Sequence, residues 1–328
     1  MMTTYNIAIL GAGHIAEKMA HTLQQMPRAN SYAVASRSLE KAQQFAQRWG
    51  FSKAYGSYTD MLADPAIDLV YVATPHAMHY SHVLQCLQAG KAVLCEKAFT
   101  CNAREAEALI HEAEARKLLL AEAIWTRYLP LMQTVKQLVN SGIIGQPRTL
   151  TANLSYPISH KERIQRPNLG GGALLDIGVY TLNFAAMLFG TDIKKIDSCC
   201  EKTPSGMDAQ DSITLWYNDG KMAQLSSSIY VRSDRMGIIS GTEGHIIVEN
   251  VNNPSRLTVV NNQYQAIKKC EAPVQITGFE YEVEACLNAL DHHCIEPSYM
   301  PHAETLRMMR LMDTLRQQWG VRFPNDEA

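Results

Sequence analysis

No stretch of this 328-residue sequence approaches 18 consecutive apolar residues, so nothing in it reads as a transmembrane helix. The N-terminal Met-Met-Thr-Thr-Tyr lacks the basic start, long apolar run and small-residue cleavage site of a secretory signal. The eight cysteines include no Cys-x-x-Cys pair. A chain this long needs no disulfides to hold its core, so reduced thiols in the cytoplasm are expected. Charge of one sign is also missing: 30 Lys and Arg against 32 Asp and Glu leave a formal net charge of −2. Such a chain has no overall field to attract nucleic acid or an anionic membrane, and phosphate recognition has to be local. Repeats and low-complexity linkers are absent as well. What remains is an ordinary globular composition, 46% hydrophobic and 19% charged, on a chain long enough for two domains.

The first third alternates short apolar runs with amphipathic stretches. Strands are expected near 5–10, 31–36, 68–73, 91–95 and 118–123, and helices near 14–26, 39–49, 78–89 and 102–117. Ile7-Ala8-Ile9-Leu10 and Leu69-Val70-Tyr71-Val72-Ala73 barely alternate, as befits strands buried on both faces of a parallel sheet. This order predicts a doubly wound α/β domain over residues 1–122. From residue 123 to 328 the rhythm differs. Helices near 129–141 and 173–189 bracket a strand at 148–156 and a polar loop with Pro157 and Pro167. Strands follow near 193–200, 212–217, 222–230, 236–240, 245–248 and 257–260, with hairpin turns at Asn218-Asp219-Gly220 and Gly241-Thr242-Glu243-Gly244. Strands joined by tight turns imply a largely antiparallel sheet. Helices near 278–292 and 301–319 close the chain.

Gly11-Ala12-Gly13-His14-Ile15-Ala16 fits G-x-G-x-x-G/A between a predicted strand and a predicted helix, the context that dinucleotide binding requires. Gly11 permits the tight turn and Gly13 lets a pyrophosphate reach the backbone. His14 and Ile15 open a helix whose unpaired N–H groups favour phosphate. The plainer reading is a turn in a packed helix; the following β-α units speak against it. The second strand ends in Ser36-Arg37, where an NAD site usually carries Asp or Glu for the ribose 2′-OH. Arg37, with Ser36 and with Lys41 one helical turn on, forms instead a cationic place for a 2′-phosphate. NADP(H) is therefore expected over NAD, against the plainer reading of a solvated Arg. Thr74 and His76, at the carboxyl end of the strand near 68–73, are placed to touch ribose or nicotinamide. His76, His79 and His82 have no Asp, Glu or Cys beside them, so helix-surface or nucleotide-contact histidines are expected there and no metal.

Glu96-Lys97 lies just past another strand's carboxyl end. A Lys there can orient a substrate hydroxyl as its proton leaves, although a strand-end Glu-Lys pair is common. Gly170-Gly171-Gly172 let the backbone approach a ligand or turn sharply into the next helix. On that helix Asp176 and Tyr180, four apart, share a face among apolar neighbours. An Asp so placed needs a polar or cationic partner, and a Tyr becomes a better proton shuttle beside a cation such as Lys97. A helix packed through Leu174, Leu175, Ile177 and Val179, with Tyr180 in the core, is the alternative. Spacing alone does not choose between them.

In order and spacing, Gly11–Ala16, Ala73-Thr74-Pro75, Glu96-Lys97 and the glycine-led Asp176–Tyr180 helix resemble the glucose–fructose oxidoreductase/inositol dehydrogenase/MocA family over nearly the whole chain. The resemblance implies a Rossmann domain plus an α/β domain with a large open, mostly antiparallel sheet. It also implies that Lys97 is catalytic with Asp176 nearby, and that family members often pair sheet to sheet as dimers. Two departures stand out: Ala98 replaces the family's Pro after Glu-Lys, and Tyr180 replaces its frequent His. Tyr180, Arg37 and the run from Glu122 to Tyr128 resemble the dimeric dihydrodiol dehydrogenase branch. By that resemblance Tyr180 is the general acid/base, Lys97 lowers its pKa and Asp176 holds or polarises the pair. Glu96 would touch the cofactor, while Trp125, Arg127 and Phe279 would line the pocket of a small-molecule substrate. The expected activity is hydride transfer between NADP(H) and a carbinol carbon of a cyclic diol, sugar or polyol. Reduction of a sugar-derived ketone or dicarbonyl, and a non-catalytic NADP(H) sensor, are the rival expectations.

Overall fold

A computed structural model describes residues 3–326; Met1 and Met2, which begin the stretch read above for a secretory signal, lie outside them with residues 327 and 328. By backbone contacts the chain divides into two compact units. One runs up to Trp125 and takes in Gln275–Leu306; the other comprises Thr126–Val274 and the residues from Arg307 on. The expected boundary at 122/123 assigned 275–306 to the second domain, whereas the backbone contacts of this segment lie with the first unit.

The first unit is built on a six-stranded sheet: β1 (Tyr5–Leu10), β2 (Ala29–Ala35), β3 (Lys53–Tyr55), β4 (Leu69–Val72), β5 (Ala92–Glu96) and β6 (Leu120–Ala123). All its pairs are parallel, in the order β3-β2-β1-β4-β5-β6. Crossovers carry α1 (His14–Leu23), α2 (Leu39–Trp49), α3 (Tyr58–Leu62), α4 (His76–Gln88) and α5 (Ala103–Arg116). The strand order reverses between β1 and β4, which is where open α/β sheets form their ligand crevice. Ile7 through Leu10 and Leu69 through Val72 are all buried, which accounts for their unbroken apolar runs. The sequence reading left β3 and α3 unassigned, since three and five residues are too few to show a period.

The second unit contains α6 (Pro130–Asn140), β7 (Pro147–Ser155), α7 (Glu162–Gln165), a π-helical turn at Leu174–Gly178, and α8 (Val179–Phe189) continuing from it. Its large sheet adds β8 (Ile193–Lys202), β9 (Asp208–Tyr217), β10 (Met222–Ser228), β11 (Gly237–Gly241), β12 (Gly244–Glu249), β13 (Arg256–Asn261) and β14 (Ala266–Glu271). The order is β14-β13-β12-β11-β7-β10-β9-β8, antiparallel at every pair except β7 with β10. One face buries Leu150, Ala152, Ile213, Leu215, Ala223, Leu225, Ile239 and Ile246, and α8 packs against β7 and β10. The other face presents Thr151, Gln224, Ser226 and Trp216. Strand β14 escaped the sequence reading because almost all of it is exposed and it carries no alternation. Residues Pro167–Phe189 are long and apolar enough to cross a membrane by composition alone, yet 89% of the segment's most apolar window is buried within the fold. It reads as a core helix. The closing helices are α9 (Glu280–Asp291), whose Val283, Cys286 and Leu287 enter the first unit's core with Ile7, Leu94 and Leu119, and α10 (His302–Trp319).

Candidate active site

Five segments of the first unit converge on the carboxyl edge of its sheet. After β1, Gly11 adopts φ +105°, and a Cβ there would lie 2.9 Å from the Ala73 carbonyl oxygen. Only glycine closes this turn. Gly13 is extended as the N-cap of α1, makes no side-chain cap, and has nothing within 4 Å of where a Cβ would stand. The first turn of α1 therefore offers N–H groups to open space, as a pyrophosphate requires. His14 is exposed and Ile15 half-buried at this turn, while Ala16 is fully buried and lets α1 sit close to the sheet.

After β2, Ser36 is buried and its hydroxyl accepts from the Ser38 amide at 3.4 Å. Ser38 caps α2 by accepting from the Lys41 amide at 3.3 Å. Arg37 and Lys41 stand exposed. Arg37 lies close enough to Tyr58 and His82 to act on both electrostatically. His82, whose pKa burial lowers to about 4, is neutral at pH 7 and pairs its Nδ1 with the Thr74 hydroxyl at 3.0 Å. The ring of Tyr58 meets His82 edge-on at 4.9 Å. Thr74, Arg37 and His82 thus form one connected patch, and the residues present fit a phosphorylated dinucleotide.

Of the two readings for the histidines, helix surface or nucleotide contact, the first does not hold for His79 and His76, which are buried. His79 is fully buried: Nε2 faces the Thr74 carbonyl oxygen at 2.7 Å, and Nδ1 faces those of Ala98 and Phe99 at 2.9 and 3.2 Å. It ties the end of β4 to the loop carrying Lys97. Burial lowers the pKa of His79, and a neutral ring carries one N–H, so it donates to the carbonyls on one side at a time. His76 is also buried and meets His79 edge-on at 5.7 Å. The Lys97–Ala98 peptide bond is cis. Glu96 is buried, accepting from the Tyr71 hydroxyl and, at 3.1 Å, from the Lys97 amide.

At the end of β6, Trp125 stacks on Phe279, with ring centroids 4.7 Å apart and planes 16° from parallel. Distant in sequence, the two form one aromatic platform in the first unit. The turn before Phe279 is fixed by Glu280, whose carboxylate accepts from the amides of Ile276, Thr277 and Gly278.

Asp176, Tyr180 and Arg127 belong to the second unit. Asp176 stands on the π-helical turn and Tyr180 on the first turn of α8, where it is buried. The cationic partner that Asp176 demanded is Arg163: Nη1 donates to Oδ1 at 2.8 Å and Nη2 to Oδ2 at 3.0 Å. The sequence offered no periodicity linking Arg163 to that helix, so it was missed. Arg127 is buried, and its Nε donates to Asn183 Oδ1 at 2.8 Å. Asp208, also missed, accepts from the Leu174 amide and so holds the start of the turn bearing Asp176.

The chain matches two family models, an oxidoreductase family NAD-binding Rossmann fold (GFO/IDH/MocA) over residues 5–123 and a GFO/IDH/MocA C-terminal domain over residues 132–247. It is 33% identical to trans-1,2-dihydrobenzene-1,2-diol dehydrogenase of Mus musculus, across 97% of this chain and 98% of that protein. The Homo sapiens enzyme of the same name is 32% identical with the same coverage. Among solved structures, KijD10, a 3-ketoreductase from Actinomadura kijaniata in complex with NADP and TDP-benzene, superposes with a TM-score of 0.88 at 25% identity. That likeness covers 96% of this chain and 98% of KijD10.

Proposed function

The chain belongs to the GFO/IDH/MocA family of oxidoreductases, and from that membership we propose that it is an NADP(H)-dependent dehydrogenase acting on a carbinol carbon of a cyclic diol, sugar or polyol. The observation that carries the cofactor is Arg37, exposed at the end of β2 where an NAD site would hold an acid, beside the open first turn of α1. The mouse and human relatives are diol dehydrogenases, and KijD10 binds NADP, which supports the same reading.

NADP(H), when bound, accepts or supplies the hydride. Gly11, Gly13, His14 and Ile15 would hold its pyrophosphate, Ser36, Arg37 and Lys41 its 2′-phosphate, and Thr74, His76 and Glu96 the nicotinamide end. In oxidation the carbinol carbon loses a hydride, its hydroxyl loses a proton to the Tyr180 oxygen, and a carbonyl remains. A free tyrosine with pKa of about 10 is a poor base at neutral pH. By the family resemblance Lys97 is the cation that would ease proton transfer at Tyr180, with Asp176 four residues before it on the same helical run. Trp125 and Phe279 offer a flat apolar surface to a ring, and Arg127 donates to its hydroxyls. Lys97, Asp176 and Tyr180 together argue against a non-catalytic NADP(H) sensor, which has no need of a proton relay.

KijD10 is a ketoreductase, which favours a second reading in which reduction of a sugar-derived ketone or dicarbonyl is the working direction. Steady-state rates in both directions separate the two. The unpaired cysteines suit a reducing, cytoplasmic setting. The open face of the large sheet, with Trp216 41% exposed, is the surface for a homodimer. The test of the function is titration with NADPH and NADH, repeated on Arg37→Asp. Tighter NADPH binding that collapses in the variant supports the reading, and equal binding of both nucleotides overturns the NADP assignment.

A further inference from the structure

The triple glycine that precedes α8 was read from sequence as room for a ligand or for a sharp turn. At Gly171 the structure fills that room with the chain's own backbone, and at Gly172 with the Asp208 carboxylate. A Cβ on Gly171 would lie 2.4 Å from the Ile164 carbonyl oxygen and 2.8 Å from that of Arg163. The Gly171 amide donates to the Arg166 carbonyl at 3.1 Å, and the Gly172 amide to that of Ile164 at 3.0 Å. The segment containing α7 is therefore pressed onto the glycines, with Ile164 fully buried beneath it. That docking brings the Arg163 guanidinium to Asp176, where both carboxylate oxygens are engaged in parallel.

A two-pronged contact fixes the rotation of the carboxylate plane as well as its position, which a single hydrogen bond does not. We propose that Arg163 is a positioning residue for the reaction: seated by Gly171 and Gly172, it sets the orientation in which Asp176 meets the proton-transfer group. The inference rests on the reading of Asp176 as a member of the reacting centre. It gives the glycines a purpose distinct from ligand binding, since any side chain at Gly171 would lift Arg163 away. The Arg163 side chain remains 40% exposed, so a small cation can reach its place from solvent.

The experiment compares Arg163→Ala, Arg163→Lys and Asp176→Asn in the full-length protein, with NADPH affinity measured for each as a check that the nucleotide domain is intact. Arg163→Ala is expected to lower kcat roughly 10- to 100-fold, the scale of a misplaced reacting group, with NADPH affinity unchanged. Guanidinium at millimolar, non-denaturing concentration is expected to restore part of that kcat, and ammonium less. Arg163→Lys should fall between, since one ammonium cannot grip both oxygens. A merely structural contact would give no guanidinium rescue. Full kcat in Arg163→Ala beside an impaired Asp176→Asn overturns the proposal while leaving Asp176 in the mechanism. Loss without rescue also overturns it, as loop collapse would then explain the defect. Full activity in Asp176→Asn overturns both the proposal and the reading beneath it.

Discussion

Gly11 and Ala73 approach so closely that a methyl group on Gly11 would stand 2.9 Å from the Ala73 carbonyl oxygen. The contact joins the end of β1 to the end of β4, the two strands between which the sheet reverses direction. Backbone geometry and the φ of +105° both forbid a side chain there.

Gly11→Ala should therefore cost about 1–3 kcal/mol of stability through backbone strain. It should also weaken NADPH binding roughly 10-fold or more, since the turn that aims the α1 amides has to open. Calorimetry and fluorescence titration read the two effects separately. Unchanged affinity in a folded variant would show that this turn does not hold the nucleotide.

Lys97 follows β5 and is half-buried, its amide donating to Glu96. Lys97→Met keeps the length of the side chain and removes its charge. Turnover should fall at least about 100-fold, the lower end of what a positioned acid–base group contributes, with NADPH affinity nearly unchanged. Retained turnover removes Lys97 from the mechanism.

The parallel sheet was legible because its strands announce themselves twice, as unbroken apolar runs and as the places after which Gly11, Arg37, Thr74 and Lys97 fall. Each of these residues is positioned by a strand end a few residues away, so sequence order is enough to place it. The antiparallel sheet was legible through its glycine hairpins up to β13. Elements of three to five residues, such as β3 and α3, were lost because no period fits into them. Contacts across many residues of chain were lost for a different reason. Arg163 meets Asp176 only because glycines admit a neighbouring loop, and His79 is buried only because Ala98 and Phe99 turn their carbonyls to it. No local pattern encodes either arrangement. Residue type signalled a need, an acid among apolar residues wanting a cation, without saying where the cation would come from.

Asp211 is buried on β9, and burial pushes its pKa up to about 7, with nearby Asp208 adding to the effect and the hydrogen bond from Ser227 opposing it. An unfolded Asp releases its proton near pH 4. Below that pH both states hold the proton. As pH rises from about 4 towards 7 the unfolded chain ionises first, and stability falls by up to about 1.4 kcal/mol per pH unit. Asp211→Asn cannot ionise, and it should gain in melting temperature relative to the parent between pH 5 and about 7.5. Melting curves that run parallel across that range would mean that Asp211 is already ionised in the fold.

Phe279 is 7% exposed and stacks on Trp125, and Glu280 fixes the turn that delivers it. Phe279→Leu keeps most of the apolar volume and removes the ring, forfeiting the stack, worth about 0.5–1.5 kcal/mol. If the platform receives the substrate ring, KM should rise several-fold, while kcat falls little and NADPH affinity holds. The proposed nucleotide cradle lies at the ends of β1, β2 and β4 and the aromatic pair at the end of β6, so the two losses should be separable. Glu280→Gln tests the same point by another route, because a neutral amide accepts less strongly from the three amides and leaves the ring pair intact but loosely held. It should raise KM in the same direction and by less. A fall in kcat with KM unchanged in both variants would place the aromatic pair in support of the reacting groups instead of the substrate.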